Sequence, residues 1–355
     1  MIKELADMNK KLIAAAALLA FVAGAGLLGE EKLPKPATKE GLKLMQKADK
    51  AVKDKDFDAA LAAYAEVQKL EPAYAPGFLL AAQVCRMKQD DEGALVLMEK
   101  AIQANPAFTR SVDIYVGLLM EKARQAGAQG KPDAAVPYFG RIVAIPGIES
   151  SHKSLFLDGL FNMGVSAFQA RQFEASIVAF DKLLAVPDVA TAAKSNYMLA
   201  HYMMGFNLSL LEKPTEANEY LRKYVELTAA EPGNTFAPVA GYMIAKNEYA
   251  LLDKDVAKVR ADKEEKDVLG KVKALSVQYA NIPELLGKAI TARPDLEDAY
   301  LVLGNYYYLS GDLDKALATY RTLLEKCPTS PSKAEYEVFL KKLEDEKAKA
   351  AEPKK

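Results

Sequence analysis

The 355-residue chain has no tryptophan, two histidines (His152 and His201) and two cysteines (Cys85 and Cys327). Acid–base catalysis, thiol chemistry and transition-metal binding draw mainly on imidazole and thiolate, so this inventory argues against an enzyme. His152, in Ser-Ser-His-Lys-Ser, lies beside a helix start and reads as a capping or solvent-facing residue. His201 sits in a helical run with Tyr202, Met203 and Met204 and has no carboxylate or thiol at helical spacing to make it a base. There is no glycine-rich phosphate loop, no His-x-x-x-His pair and no Gly-x-Ser-x-Gly elbow. Charge of one sign is lacking too: 47 Lys and Arg against 48 Asp and Glu give a net charge of −1, and no general attraction to nucleic acid or an anionic membrane. We therefore expect no catalytic residues, no cofactor, no metal and no nucleic-acid partner.

What is present is apolar surface, 50% of residues, with 27% charged, the balance of an ordinary globular chain with a sizeable core. The uncharged run Leu12–Leu28 is preceded by Lys10 and Lys11 and contains the small-x-small site Ala23-Gly24-Ala25. A short basic region, an apolar run and such a site compose a secretory signal peptide, so residues 1–25 are expected to direct export to the periplasm or cell envelope. The alternative is an uncleaved membrane anchor over 12–28, slightly short of the ~20 residues that span a bilayer. Membrane contact is expected only through this segment. Residues 26–38, with Pro34 and Pro36 among charges, read as a linker.

From Asp298 to Pro328 the pattern is that of two antiparallel helices joined at Ser310-Gly311-Asp312-Leu313. Small Gly304 and Ala316 are placed where the helices touch, Tyr300, Leu303, Tyr307, Tyr320 and Leu323 fill around them, and Pro328 stops the second helix. This spacing resembles the tetratricopeptide repeat, a helix-turn-helix unit of about 34 residues. Pro72 and Pro106, 34 positions apart, close two further units in the same register. The resemblance implies an all-α fold, a right-handed superhelical solenoid of antiparallel helix pairs. Units one to five are expected over 39–230, with the turn of the third lengthened by 123–133, which extends its first helix or adds a loop. A degenerate charged region follows at 231–281, whose stretch 253–268 reads as one solvated helix. Repeat helices return at 282–328, and 329–355 is expected to hold a capping helix, started by a Ser332–Glu335 capping box, and a disordered tail. In such an array Cys85 and Cys327 lie too far apart to pair.

The resemblance also implies a binding class: first helices of the units line a groove that takes a protein or peptide. Laying the family's inward slots on this sequence selects Leu79, Arg86, Met87, Phe161, Val165, Phe168, Tyr202, Phe206 and Tyr308. The lysine and asparagine with which chaperone-binding members clamp a carboxylate are replaced by Met45 and Asp49, so that specificity is not expected. An apolar and aromatic groove suits an amphipathic helix instead. The expected role is a non-enzymatic scaffold in the cell envelope, or alternatively an accessory subunit of an envelope enzyme or secretion machine.

Overall fold

Aspartates set the phase of the fold. Asp56, Asp90 and Asp312 each accept a hydrogen bond from the backbone amide three residues on, at 2.9–3.1 Å, and so start the second helix of a hairpin. Where no aspartate is available, Pro132 and Pro214 open the helix at its first position, where a missing N–H costs nothing. The preceding helix ends the same way each time. Lys55, Gln89, Gly130, Arg171, Glu212 and Gly311 take the left-handed conformation, and the amide after each bonds back to a carbonyl five residues earlier, as Asp56 does to Ala51 and Lys213 to Leu208.

The computed structural model describes residues 33–231 and 234–351; the expected signal or anchor segment lies outside them. Among the described residues there are helices and turns and no strands, and no helix is long and apolar enough to cross a membrane. The chain divides into two compact units, one up to Gln172 and the other from Phe173.

In the first unit, α1 (Lys39–Lys53) pairs with α2 (Phe57–Leu70), α3 (Ala75–Met87) with α4 (Asp91–Ala104), and α5 (Arg110–Ala128) with α6 (Pro132–Val143). The four-residue α7 (Ile148–Ser151) and then α8 (Lys153–Gln169) follow, α8 packing on α6. Of the two expectations for 123–133, a longer first helix or an added loop, the first holds: α5 runs on to Ala128. Tyr64, Val67, Leu95, Met98, Tyr115, Leu118, Leu119 and Ile142 are buried along the two cores of this unit.

The second unit begins with α9 (Phe173–Leu184), a short α10 (Val189–Ala192), α11 (Lys194–Leu210) and α12 (Pro214–Thr228). The 25-residue α13 (Ala237–Ala261) packs on α12, and α14 (Val268–Val277) and α15 (Ile282–Ala292) pack on α13. The expected single helix over 253–268 is therefore broken. Asp262 turns to extended backbone and its side chain bonds the Glu264 amide at 3.0 Å, then Asp267 caps α14. The hairpin α16 (Glu297–Ser310) and α17 (Leu313–Lys326) is closed by α18 (Lys333–Ala351), which inserts Leu343 into the core of Tyr300, Ala316, Leu317, Tyr320 and Leu323. The Ser332 amide bonds Ser330 Oγ at 3.1 Å, so it is not free for the expected partner Glu335.

The left-handed turns also measure the repeat. Lys55 and Gln89 are 34 positions apart, but Gln89, Gly130, Arg171 and Glu212 follow one another at intervals of 41. The extra length goes to the 19-residue α5 in the first of these intervals and to α7 and α10 in the next two. Each short helix is introduced by a left-handed residue, Gly147 or Asp188, and buries one apolar side chain, Ile148 or Val189.

Glycine contacts separate packing from free surface. A Cβ on Gly205 would sit 2.5 Å from Leu221 Cγ and 2.9 Å from the Ala217 carbonyl, so α11 and α12 can approach only because it is absent. On Gly304 it would meet the Tyr320 ring at 2.6 Å, which makes Tyr320, rather than Ala316, the residue that the small side chain accommodates. On Gly117, within α5, it would meet nothing within 4 Å. Gly205→Ala should thus destabilise the second unit by about 1–3 kcal/mol through overpacking. Gly117→Ala should instead stabilise its helix by up to ~1 kcal/mol. Urea denaturation of both variants checks the pair, and equal signs would contradict the geometry.

Candidate functional site

The first helices of the hairpins carry the expected groove residues, and the structure sorts them into two groups. Leu79, Phe161, Val165, Phe168, Tyr202 and Phe206 are buried, between 2% and 8% exposed. The aromatic residues among them were expected on an open wall, but they face inward because the helix stripe that meets the neighbouring helix is the one they occupy. In the second unit the Tyr202 ring centroid lies 6.3 Å from Phe206, 5.2 Å from Tyr224 and 5.9 Å from Phe236. The Tyr202 hydroxyl is buried with no hydrogen-bond partner among the described residues, and burial pushes its pKa up. Tyr308 is half-buried under α18: it packs edge-on to Phe339 at 5.6 Å, and its hydroxyl donates to Glu346 at 3.4 Å.

Arg86 and Met87 remain on accessible surface, at the end of α3. Met87 is 47% exposed. Arg86 reaches α5, its guanidinium donating to Glu121 Oε2 at 3.0 Å, and its Nε lies 3.8 Å from Asp91 Oδ1. Lys122 bonds the other oxygen of Asp91 at 2.8 Å, which raises its pKa, and Gln125 donates to Glu121 at 3.1 Å. This network is partly buried and ties α3, α4 and α5 together. Ile114, Gly117 and Glu121 share one face of α5 at helical spacing. The first two are half-buried, and Gly117 has open space where its side chain would be. The first unit therefore presents the apolar Met87 and Ile114, the small Gly117 and the polar amide of Gln83 as accessible residues near an ion-paired floor. Gly117 is the element that reading slots from the sequence missed. Its signal was a glycine inside a long helix with no turn to justify it.

Chemistry does not converge anywhere else. Among the described residues no three His, Cys, Asp or Glu side chains stand close enough to hold a metal ion. Cys85 is buried and Cys327 half-buried, both free, and burial raises both thiol pKa values. His152 stands at the N-cap position of α8 without a side-chain capping bond; its Nδ1 lies 2.9 Å from Ser151 Oγ and its Nε2 3.6 Å from Asp113 Oδ1. His201 is wedged between the Tyr197 ring, at 4.8 Å, and the Tyr220 ring, at 5.8 Å. Neither of its nitrogens has a hydrogen-bond partner among the described residues.

Comparison with known proteins gives one family match: residues 297–330 fit the tetratricopeptide repeat. No curated protein matches the chain. Among solved structures, the C-terminal part of a TPR repeat-containing protein from Cytophaga hutchinsonii is 15% identical, with a TM-score of 0.40, covering 82% of this chain and 98% of that one. PilF from Pseudomonas aeruginosa is 14% identical, with a TM-score of 0.41, covering 74% of this chain and 96% of that one. YrrB, described as a TPR protein with an unusual peptide-binding site, is 18% identical, with a TM-score of 0.28 over 56% of this chain and 91% of that one.

Proposed function

We propose, from the premise that residues 297–330 are a tetratricopeptide repeat, that the chain serves as a non-catalytic scaffold in the cell envelope, holding a peptide segment of a partner against the first helices of its repeats. The observation that carries this reading is Gly117. A glycine inside α5 forgoes helix stability, and with nothing within 4 Å no internal packing repays it, whereas a partner backbone could approach closely there. Ile114, on the same face of α5, and the exposed Met87 at the end of α3 supply apolar contact for one face of an amphipathic helix, and the Arg86–Glu121 pair supplies a rigid floor. In this reading the repeats over 39–230 and 282–328 present surfaces, 231–281 connects them, and 329–355 closes the end. The envelope location rests on Lys10, Lys11 and the uncharged Leu12–Leu28, which support export or anchoring.

Peptides selected by display against the protein provide the test. Met87→Asp changes an exposed position and Gly117→Arg a half-buried one with open space beyond its Cα, so both should leave circular dichroism as in the parent. Each should weaken the selected peptides by ~2 kcal/mol, about thirtyfold, as for a central contact residue. Unchanged binding by both variants would move the site away from α3 and α5.

A further inference from the structure

The solvent face of α1 gathers side chains of one charge. Lys39, Lys43, Lys47, Lys50 and Lys53 are all exposed. At about 100° per residue they fall within an arc of roughly 120°, directly opposite the buried Gly41, Met45 and Ala48. Among the described residues only Lys43 of the five makes an ion pair, with Glu40 at 3.6 Å, and both partners are mostly in water. Asp49 is turned toward α2, where it accepts the Tyr64 hydroxyl at 3.2 Å. The helix start is fixed to the end of α2 as well, because Glu71 accepts the amides of Ala37 and Thr38 at 2.8 and 2.9 Å. A chain with a net charge of −1 thus gathers five positive charges along one rigid edge.

We propose that this lysine face docks the protein on an anionic lipid bilayer, as a surface separate from the peptide-binding face of α3 and α5. Three features favour lipid over other polyanions. The row contains lysine and no arginine, so it offers point charges suited to a diffuse surface potential rather than forks for bidentate phosphate contacts. No aromatic side chain interrupts it, so it lacks a platform for stacking bases. Leu42, exposed beside the lysines, adds an apolar contact at the headgroup boundary. The uncharged run Leu12–Leu28 also ends eleven positions before Lys39. A chain that long spans no more than ~40 Å, so a bilayer holding that run has the lysines within reach.

Flotation of the full chain with vesicles tests the proposal. It should bind vesicles of phosphatidylcholine mixed with phosphatidylglycerol, bind phosphatidylcholine alone far less, and detach as salt rises. Changing Lys39, Lys43, Lys47 and Lys50 to glutamine should weaken binding at least ~10-fold. The same number of changes at the exposed Lys100, Lys182, Lys254 and Lys341 should not. Binding that ignores lipid charge, or that survives the α1 changes, would mean the apolar run or nothing at all holds the membrane, and overturns the proposal. Tighter binding to single-stranded DNA than to the anionic vesicles at equal salt would overturn the assignment to lipid.

Discussion

Phe206→Ala should cost the second unit about 3–5 kcal/mol, the range for deleting a buried aromatic ring and leaving a cavity. Phe206 is 4% exposed, and its ring lies 6.3 Å from Tyr202, the residue on which the aromatic cluster is centred. Read from the sequence, replacing Phe168 and Phe206 together is a clean binding lesion, with capture lost and folding kept. Burial reverses that expectation: folding should suffer, and any loss of capture would follow from it. Urea denaturation should show a lowered midpoint for Phe206→Ala and almost none of that change for Met87→Ala, since Met87 is 47% exposed. A Phe206→Ala protein as stable as its parent would return the aromatic residues to the groove.

Acid should loosen the second unit through His201. Desolvation by burial, with a smaller push from the Lys223 ammonium, holds its pKa at about 4 against an ordinary 6.5. The groups facing it are the Tyr197 and Tyr220 rings and Lys223; the carboxylates nearby, Asp181, Glu216 and Glu219, act on the Tyr220 phenol instead. Because the folded pKa is the lower one, the unfolded chain binds the proton first. His201 therefore costs nothing above pH 6.5 and makes folding progressively less favourable as pH falls from about 6.5 to about 4. At 1.36 kcal/mol per pKa unit the unscreened ceiling is about 3 kcal/mol, and because the residue is only half-buried the effect expected in solution is about 1–2 kcal/mol. His201→Phe keeps a ring between the two tyrosines and removes the titration. The variant should lose correspondingly less stability than its parent between pH 7 and pH 4. Parallel stability–pH curves for the two proteins would show that the imidazole is solvated in the folded state.

Legibility from the sequence followed the strength of local rules. The hairpins at Phe57, Asp91 and Asp298 could be read because aspartate caps, small residues and closing prolines mark their turns in a few residues each. The 41-residue interval was written as plainly, in the Pro-Gly-Ile of 146–148 and the Pro-Asp-Val of 187–189. A reading tuned to 34 residues absorbed the difference as irregular turns and missed α7 and α10. Lys55, Gln89, Arg171 and Glu212 were invisible as left-handed residues, because the return hydrogen bonds of the turn impose that conformation on side chains that do not favour it. The groove failed for a different reason. Slot positions say which side of a helix a residue is on, but whether an aromatic ring on that side meets water depends on how close the next helix comes. Gly205 decides that distance for α11 and α12, and its partner Leu221 lies 16 positions away.

The recurrence of one backbone posture at 130, 171 and 212 bears on how such a chain can change over evolutionary time. A coding segment cut between two of these turns and pasted into a third would meet the same chain direction, the same left-handed residue and the same return hydrogen bonds at both seams. Growth or loss of the array then needs no new turn to be invented, only an inserted segment with its apolar residues in phase. The heritable module of this region is accordingly the interval from one left-handed turn to the next, and the helices inside it are free to lengthen or split, as α5, α7 and α10 have done.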